Sequence, residues 1–233
     1  MSVFITGSGT DVGKTYVSCG VLRAMQRQGR RVRPLKPVLS GVDDNNLDNS
    51  DAGQLLLAAG GSLDDVDATS PWRFRAPLSP DAAAAREGKT VPVDDVVGFC
   101  TRALHEGPCL VEGVGGVLVP LDDTRTVRDW MKALQLPAVV VTHAALGTLS
   151  HTLCAVEAVH HAGLDVAAVV VNAATPMAPD GPPLEETVAT LQRFLPPTTP
   201  VVSVAHDASD EVTQETFDAL ATLLFPDLMS TTL

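Results

Sequence analysis

The side chains best equipped for chemistry stand near the start of the chain, in Gly7-Ser8-Gly9-Thr10-Asp11-Val12-Gly13-Lys14-Thr15. An apolar run precedes them and a helical pattern follows. One parse, with glycines at 7, 9 and 13, is that of a dinucleotide fingerprint. That reading also wants an acid at the end of the second strand, to meet a ribose hydroxyl. The chain has Leu35-Lys36-Pro37 there instead. The other parse is a phosphate-binding loop: Gly7, five residues, then Gly13-Lys14-Thr15, one residue longer than the common spacing. In such a loop, backbone N–H groups and a helix N-terminus surround phosphates. Lys14 would reach the β- and γ-phosphates, and the Thr15 hydroxyl would ligate Mg²⁺.

Other charged residues fall where apolar patterns end. Lys36 closes the second strand pattern between two prolines, at the sheet edge where open α/β folds bind ligands. An ordinary surface lysine would read the same. Asp51 opens a helix after Ser50, and either residue could be a plain helix cap. Glu112 ends the apolar run Cys109–Val111, where an acid is costly unless paired or bound to metal. Gly113, Gly115 and Gly116 then permit close backbone approach to a ligand. Asn172 ends another apolar run in Val169-Val170-Val171-Asn172-Ala173-Ala174-Thr175. A guanine site would want Asn-Lys-x-Asp there, so adenine or a loosely read base is favoured. His143, His151, His160 and His161 have no metal-ligand spacing with cysteines. His160 and His161 suit a helix C-terminus, where imidazolium complements the dipole.

Alternating elements must position these groups. Expected strands are Val3–Thr6, Arg31–Leu35, Cys109–Glu112, Ala138–Thr142, Val166–Asn172 and Val201–Val204, mostly apolar on both faces, as strands between two helix layers are. Expected helices are Lys14–Gln28, Asp51–Ala59, Val93–His105, Val127–Leu134, Thr148–His161, Leu184–Phe194 and Thr213–Leu224. The pattern predicts a single α/β domain over residues 1–233, with a mostly parallel sheet flanked by helices on both faces. Strand order is not legible. Val38–Asn49 and Thr175–Pro183 read as long irregular loops, and the end, Met229–Leu233, as a frayed tail.

Composition narrows the partners. A formal net charge of −12 argues against a nucleic-acid partner. Cys19, Cys100, Cys109 and Cys154 are far apart and read as buried, reduced residues, which with the absence of a signal-like start predicts the cytoplasm. No apolar run is long enough to cross a bilayer, so no membrane partner is expected.

Taken in order and spacing, "TGSGTDVGKT", "KPVLSG", "NSDA", "SPWRFRAPLSP", "LVEGVGG", "TRTVRDW", "ALGTLSH" and "VVVN" resemble the dethiobiotin synthetase family over nearly the whole chain. The resemblance implies a P-loop NTPase-like fold, a homodimer with shared active sites, and ATP, CO₂ and diaminononanoate as substrates. The implied reaction closes a ureido ring through a carbamate and a carbamic–phosphoric anhydride. It assigns Lys36 and Lys14 to catalysis, and Thr15, Asp51 and Glu112 to Mg²⁺. ATP would meet Asp11, Val12, Gly13, Lys14, Thr15, Asp51, Glu112, Gly113, Gly115, Asn172, Val204, Ala205 and His206. The second substrate would meet Thr10, Ser40, Gly147, Thr148, Leu149 and Ser150. The chain departs from the family pattern at Asp81, at Ser150 and over Val204–His206. Base choice is therefore expected to be permissive. Competing readings are another ATP-dependent synthetase of the same fold, a partitioning-type ATPase switch and a nicotinamide dehydrogenase.

Overall fold

A computed structural model of the protein describes residues 1–43, 45–173, 182–205 and 208–229. In chain order the elements are β1 (Val3–Gly7), α1 (Lys14–Arg27), β2 (Arg33–Leu35), β3 (Val38–Ser40), α2 (Asp51–Ala58), β4 (Trp72–Phe74), α3 (Pro80–Arg86), α4 (Val93–Glu106), β5 (Cys109–Glu112), α5 (Val127–Leu134), β6 (Ala138–His143), α6 (Thr148–His161), β7 (Val166–Ala173), α7 (Leu184–Phe194), β8 (Val201–Ala205), α8 (Asp210–Leu224) and α9 (Pro226–Met229). Short 3-10 turns occupy Leu47–Asn49 and Leu63–Ala68.

Six strands form one sheet in the order β2-β5-β1-β6-β7-β8, and each neighbouring pair is parallel. Parallel strands need crossovers, and the intervening helices supply them on both faces. Alternation along β1 sorts the core. Phe4 points into one layer with Val111, Val140, Trp130 and Val156, covered by α3 to α7. Val3 and Ile5 point into the other with Val139, Val170, Val21 and Leu220, covered by α1, α2 and α8. The six strands and seven main helices expected from the sequence are all present, with ends displaced by a few residues; α8 starts at Asp210, capped by Ser209, rather than at Thr213.

Two corrections concern the stretch before β5. Val38–Ser40 is not irregular: it is β3, paired in parallel with β4 in a separate two-stranded sheet. α3 is a helix with proline in its first turn, the position that proline tolerates best. One correction concerns cysteine: Cys19, Cys100 and Cys109 are buried, but Cys154 is exposed on α6. All four are free thiols, and burial pushes Cys19 and Cys100 up to about 12. Most of the Thr175–Pro183 loop, and the tail beyond Met229, lie outside the described residues. Among the described residues no helix is long and apolar enough to cross a membrane.

Candidate active site

The order of the sheet places β1 centrally, between β5 and β6. Chains leaving β1 and β5 turn to opposite sides, and such a switch point opens a crevice at the C-terminal edge. β1 runs out at Gly7 into the glycine-rich loop, β2 into Lys36, and β5 ends on Glu112. Three groups far apart in sequence therefore converge on one edge.

The loop is shaped by its backbone. Asp11 has a left-handed φ of 56°, and Gly13, which caps α1, has φ 87°. Gly13 is required for a second reason: a Cβ there would collide with the Asn172 amide nitrogen. The Asn172 amide donates instead to Val12 O at 3.1 Å, so the end of β7 braces the loop. No side chain caps α1, which leaves its first N–H groups open to an anion.

Lys36 is 1% exposed. Its Nζ lies 2.7 Å from Glu112 Oε1, 3.1 Å from Asp51 Oδ2, and donates to Gly113 O at 2.7 Å. Burial opposes its charge, but the Glu112 and Asp51 carboxylates outweigh burial and raise its pKa. Burial would also raise the Asp51 pKa, but the Lys36 ammonium holds it below the usual carboxylate range. Ser50, not Asp51, caps α2, its Oγ accepting from Gly53 N at 3.1 Å, and this frees Asp51 for the lysine. Glu112 is fully buried and also accepts from Thr15 Oγ1 at 2.9 Å. The acid that closes an apolar strand is thus paired.

Lys14 is also buried, but its Nζ contacts only the Gly9 carbonyl, at 3.2 Å, among the hydrogen bonds described. Burial, then the neighbouring Lys36 charge, lower its pKa from 10.5 to about 8. A desolvated lysine without a carboxylate partner suits a group that receives an anionic ligand.

Thr15, Asp51 and Glu112 lie together as the resemblance required, and Glu112 Oε2 is buried without a hydrogen-bond partner. Among the described residues no three His, Cys, Asp or Glu side chains gather into a metal site. Two carboxylates and a hydroxyl nonetheless fit Mg²⁺, which takes few protein ligands and keeps waters and substrate phosphates. The orphaned oxygen is the acceptor that such an ion would use.

A cavity of about 720 Å³ connects these groups. Lys14, Thr15, Lys36 and Asp51 line one end, and Thr10, Ser40 and Gly115 line it further along. Ser40 Oγ is buried and unpartnered. The wall is completed by Pro77, Leu78, Ser79 and Pro80, before and at the start of α3, which reading the residues singly did not assign. The proline pair in "APLSP" was their signal. Val204 and Ala205 pair in register with Asn172 and Ala173, beside the loop. His206 lies outside the described residues. Asp81 sits in the first turn of α3, with Oδ1 buried and unpartnered. Gly147, Thr148, Leu149 and Ser150 do not line this cavity: they form the start of α6, where Gly147 and Ser150 are exposed.

The chain matches a family model described as an AAA domain over residues 1–206. It is 49% identical over 206 residues to the ATP-dependent dethiobiotin synthetase BioD of Acidiphilium cryptum, covering 86% of this chain and 91% of that protein. The same enzyme of Methylobacterium nodulans is 46% identical over 197 residues, covering 81% and 86%. Among solved structures, the cell division ATPase MinD of Pyrococcus furiosus superposes with a TM-score of 0.55 at 15% identity, over 98% of each chain. MinD of Pyrococcus horikoshii, complexed with Mg-ADP, gives 0.52 at 16% identity, over 99% of this chain and 97% of that one. At such identities the structural likeness speaks for the P-loop NTPase fold alone.

Proposed function

Because this chain belongs to the ATP-dependent dethiobiotin synthetase family, we propose that its cavity carboxylates diaminononanoate with CO₂ and closes the ureido ring, with ADP and phosphate as by-products. The supporting observation is the buried Lys36, held by Glu112 and Asp51 beside the phosphate loop and opening into one cavity with Thr10 and Ser40. A switch or a dehydrogenase has no use for a buried cation aimed past the phosphate site.

In this reading one substrate amine captures CO₂ and loses a proton, giving a carbamate. A carbamate oxygen attacks the γ-phosphorus of ATP, ADP leaves, and a carbamic–phosphoric anhydride remains. The second amine attacks the carbonyl carbon, closes the five-membered ring and expels phosphate. Lys36 offsets charge on the carbamate oxygens, and Lys14 on the phosphoryl oxygens. The α1 N-terminus and the loop N–H groups orient the triphosphate. Thr15, Asp51 and Glu112 would hold Mg²⁺, which neutralises phosphate charge when bound. Thr10 and Ser40 orient the diamine, so that ring closure proceeds as an intramolecular step.

The working unit is a homodimer. Its support is twofold. The start of α6 is exposed and outside the cavity of its own chain, where its open N-terminus can meet a carboxylate in a second copy. Next to it, an apolar groove of about 380 Å³ runs between Gly116–Pro120 and α6, with Leu118 53% exposed. The test is phosphate release in ATP, Mg²⁺ and bicarbonate, with and without the diamine. Release that requires the diamine is expected; equal release without it would overturn the reading.

A further inference from the structure

Four hydroxyls behind the cavity form one continuous run. Ser8 Oγ lies 2.9 Å from Thr142 Oγ1, and Thr142 Oγ1 lies 2.7 Å from Thr148 Oγ1. Thr152 Oγ1 lies 2.8 Å from Thr142 Oγ1 and 2.7 Å from Thr148 O. Thr148 Oγ1 donates to His143 O at 2.5 Å. Thr142, Thr148 and Thr152 are buried.

A hydroxyl carries a single proton. That of Thr148 lies on the His143 carbonyl, so the proton between Thr142 and Thr148 belongs to Thr142. Thr142 then has none left for Ser8, and Ser8 must donate to Thr142. The direction is fixed: Ser8 to Thr142 to Thr148 to the carbonyl. Ser8 N–H also donates to Val141 O at 2.9 Å, so β6 grips this loop residue through backbone and side chain. With its proton turned inward, the Ser8 hydroxyl is unsuited to donate to a phosphate oxygen. Its place in the loop is mechanical.

We propose that Thr142 is a positioning residue for ATP binding, whose hydroxyl fixes the phosphate loop at Ser8 against the first turn of α6. Removing it leaves the Ser8 proton and a Thr148 lone pair without partners, and a half-satisfied buried network loosens both ends. The loop that presents N–H groups to the nucleotide then loses its fixed origin.

The test is the Kd of a non-hydrolysable ATP analogue. Thr142→Val keeps the shape and removes the hydroxyl, and Kd should rise about tenfold, while Thr142→Ser should return it to within about twofold of the parent. Ser8→Ala removes the outer donor and should raise Kd in the same direction. The double variant should be no worse than Thr142→Val alone, because both changes break one chain. An unchanged Kd in Thr142→Val, a serine variant as weak as the valine one, or additive losses would each overturn the proposal. Should Thr142→Val fail to fold, Ser8→Ala with a parent-like Kd would overturn it equally. The nucleotide readout assumes nothing about the second substrate: failure of the ring-closing reading shows as diamine-independent phosphate release in the parent, failure here as unchanged nucleotide affinity.

Discussion

Lys14 and Lys36 face one cavity, yet their surroundings drive them apart. Lys36 has two carboxylates and keeps its proton; Lys14 has a carbonyl and is lowered to about 8. The unfolded chain binds the Lys14 proton up to 10.5, the folded one only up to about 8. Between those values the unfolded state holds more protons, so stability rises with pH across the window. Lys14→Met should therefore abolish nucleotide binding yet make the free protein more stable, by about 1–2 kcal/mol near pH 7, with a smaller gain near pH 10. Denaturant unfolding at both pH values checks this, and a Lys14→Met protein less stable than the parent would contradict it. Lys36→Ala should do the reverse. It leaves Glu112 and Asp51 facing each other without a cation, and stability should fall by roughly 3 kcal/mol. Turnover should vanish, while ATP affinity of the folded fraction, measured at low temperature, should stay within about threefold of the parent. Equal loss of ATP affinity in both variants would erase the division of roles.

At the scale of elements, the phosphate loop belongs to β7 as much as to β1 and α1. Asn172 rests its amide on the Val12 carbonyl, whichever base is bound. Asn172→Ala should raise KM for ATP, GTP and CTP by a similar factor, about fivefold. A loss confined to ATP would show that the side chain reads the base alone. The parent should use ATP best and turn over at least one other triphosphate measurably. This bracing was not legible in the sequence, where Asn172 could be placed only at a strand end. Glu112 was legible, because an acid closing an apolar run demands a partner and Lys36 was the cation at a neighbouring strand end. β3 and β4 were not: three residues each give no periodicity to read. α3 was missed because Pro77 and Pro80 read as loop punctuation, although proline at a helix start is an initiator. Those overlooked pieces build the outer wall of the cavity.

At the scale of the molecule, strand order was hidden in the sequence because it is set by which crossovers pack, not by local pattern. It is nonetheless what assembles the site, bringing β2, β5 and β1 side by side. The placement of Gly147–Ser150 outside the cavity leads to a prediction for the dimer. Lys14→Ala disables the phosphate half, and Ser150→Glu puts a like charge where the substrate carboxylate would bind. Each variant alone should be nearly inactive. Mixed with subunit exchange, half the dimers are hetero and each has one intact site, so about a quarter of the parent activity should return. Exchange without recovery would place each site within one subunit.

The central claim is that the cavity joins a CO₂-derived oxygen to the γ-phosphorus before the ring closes. Bicarbonate labelled with ¹⁸O, supplied with ATP, Mg²⁺ and diaminononanoate and sampled before exchange with water, tests it directly. The account predicts that each phosphate released carries one labelled oxygen, in equal amounts with ring formation. Phosphate carrying only oxygen from ATP and water would contradict it.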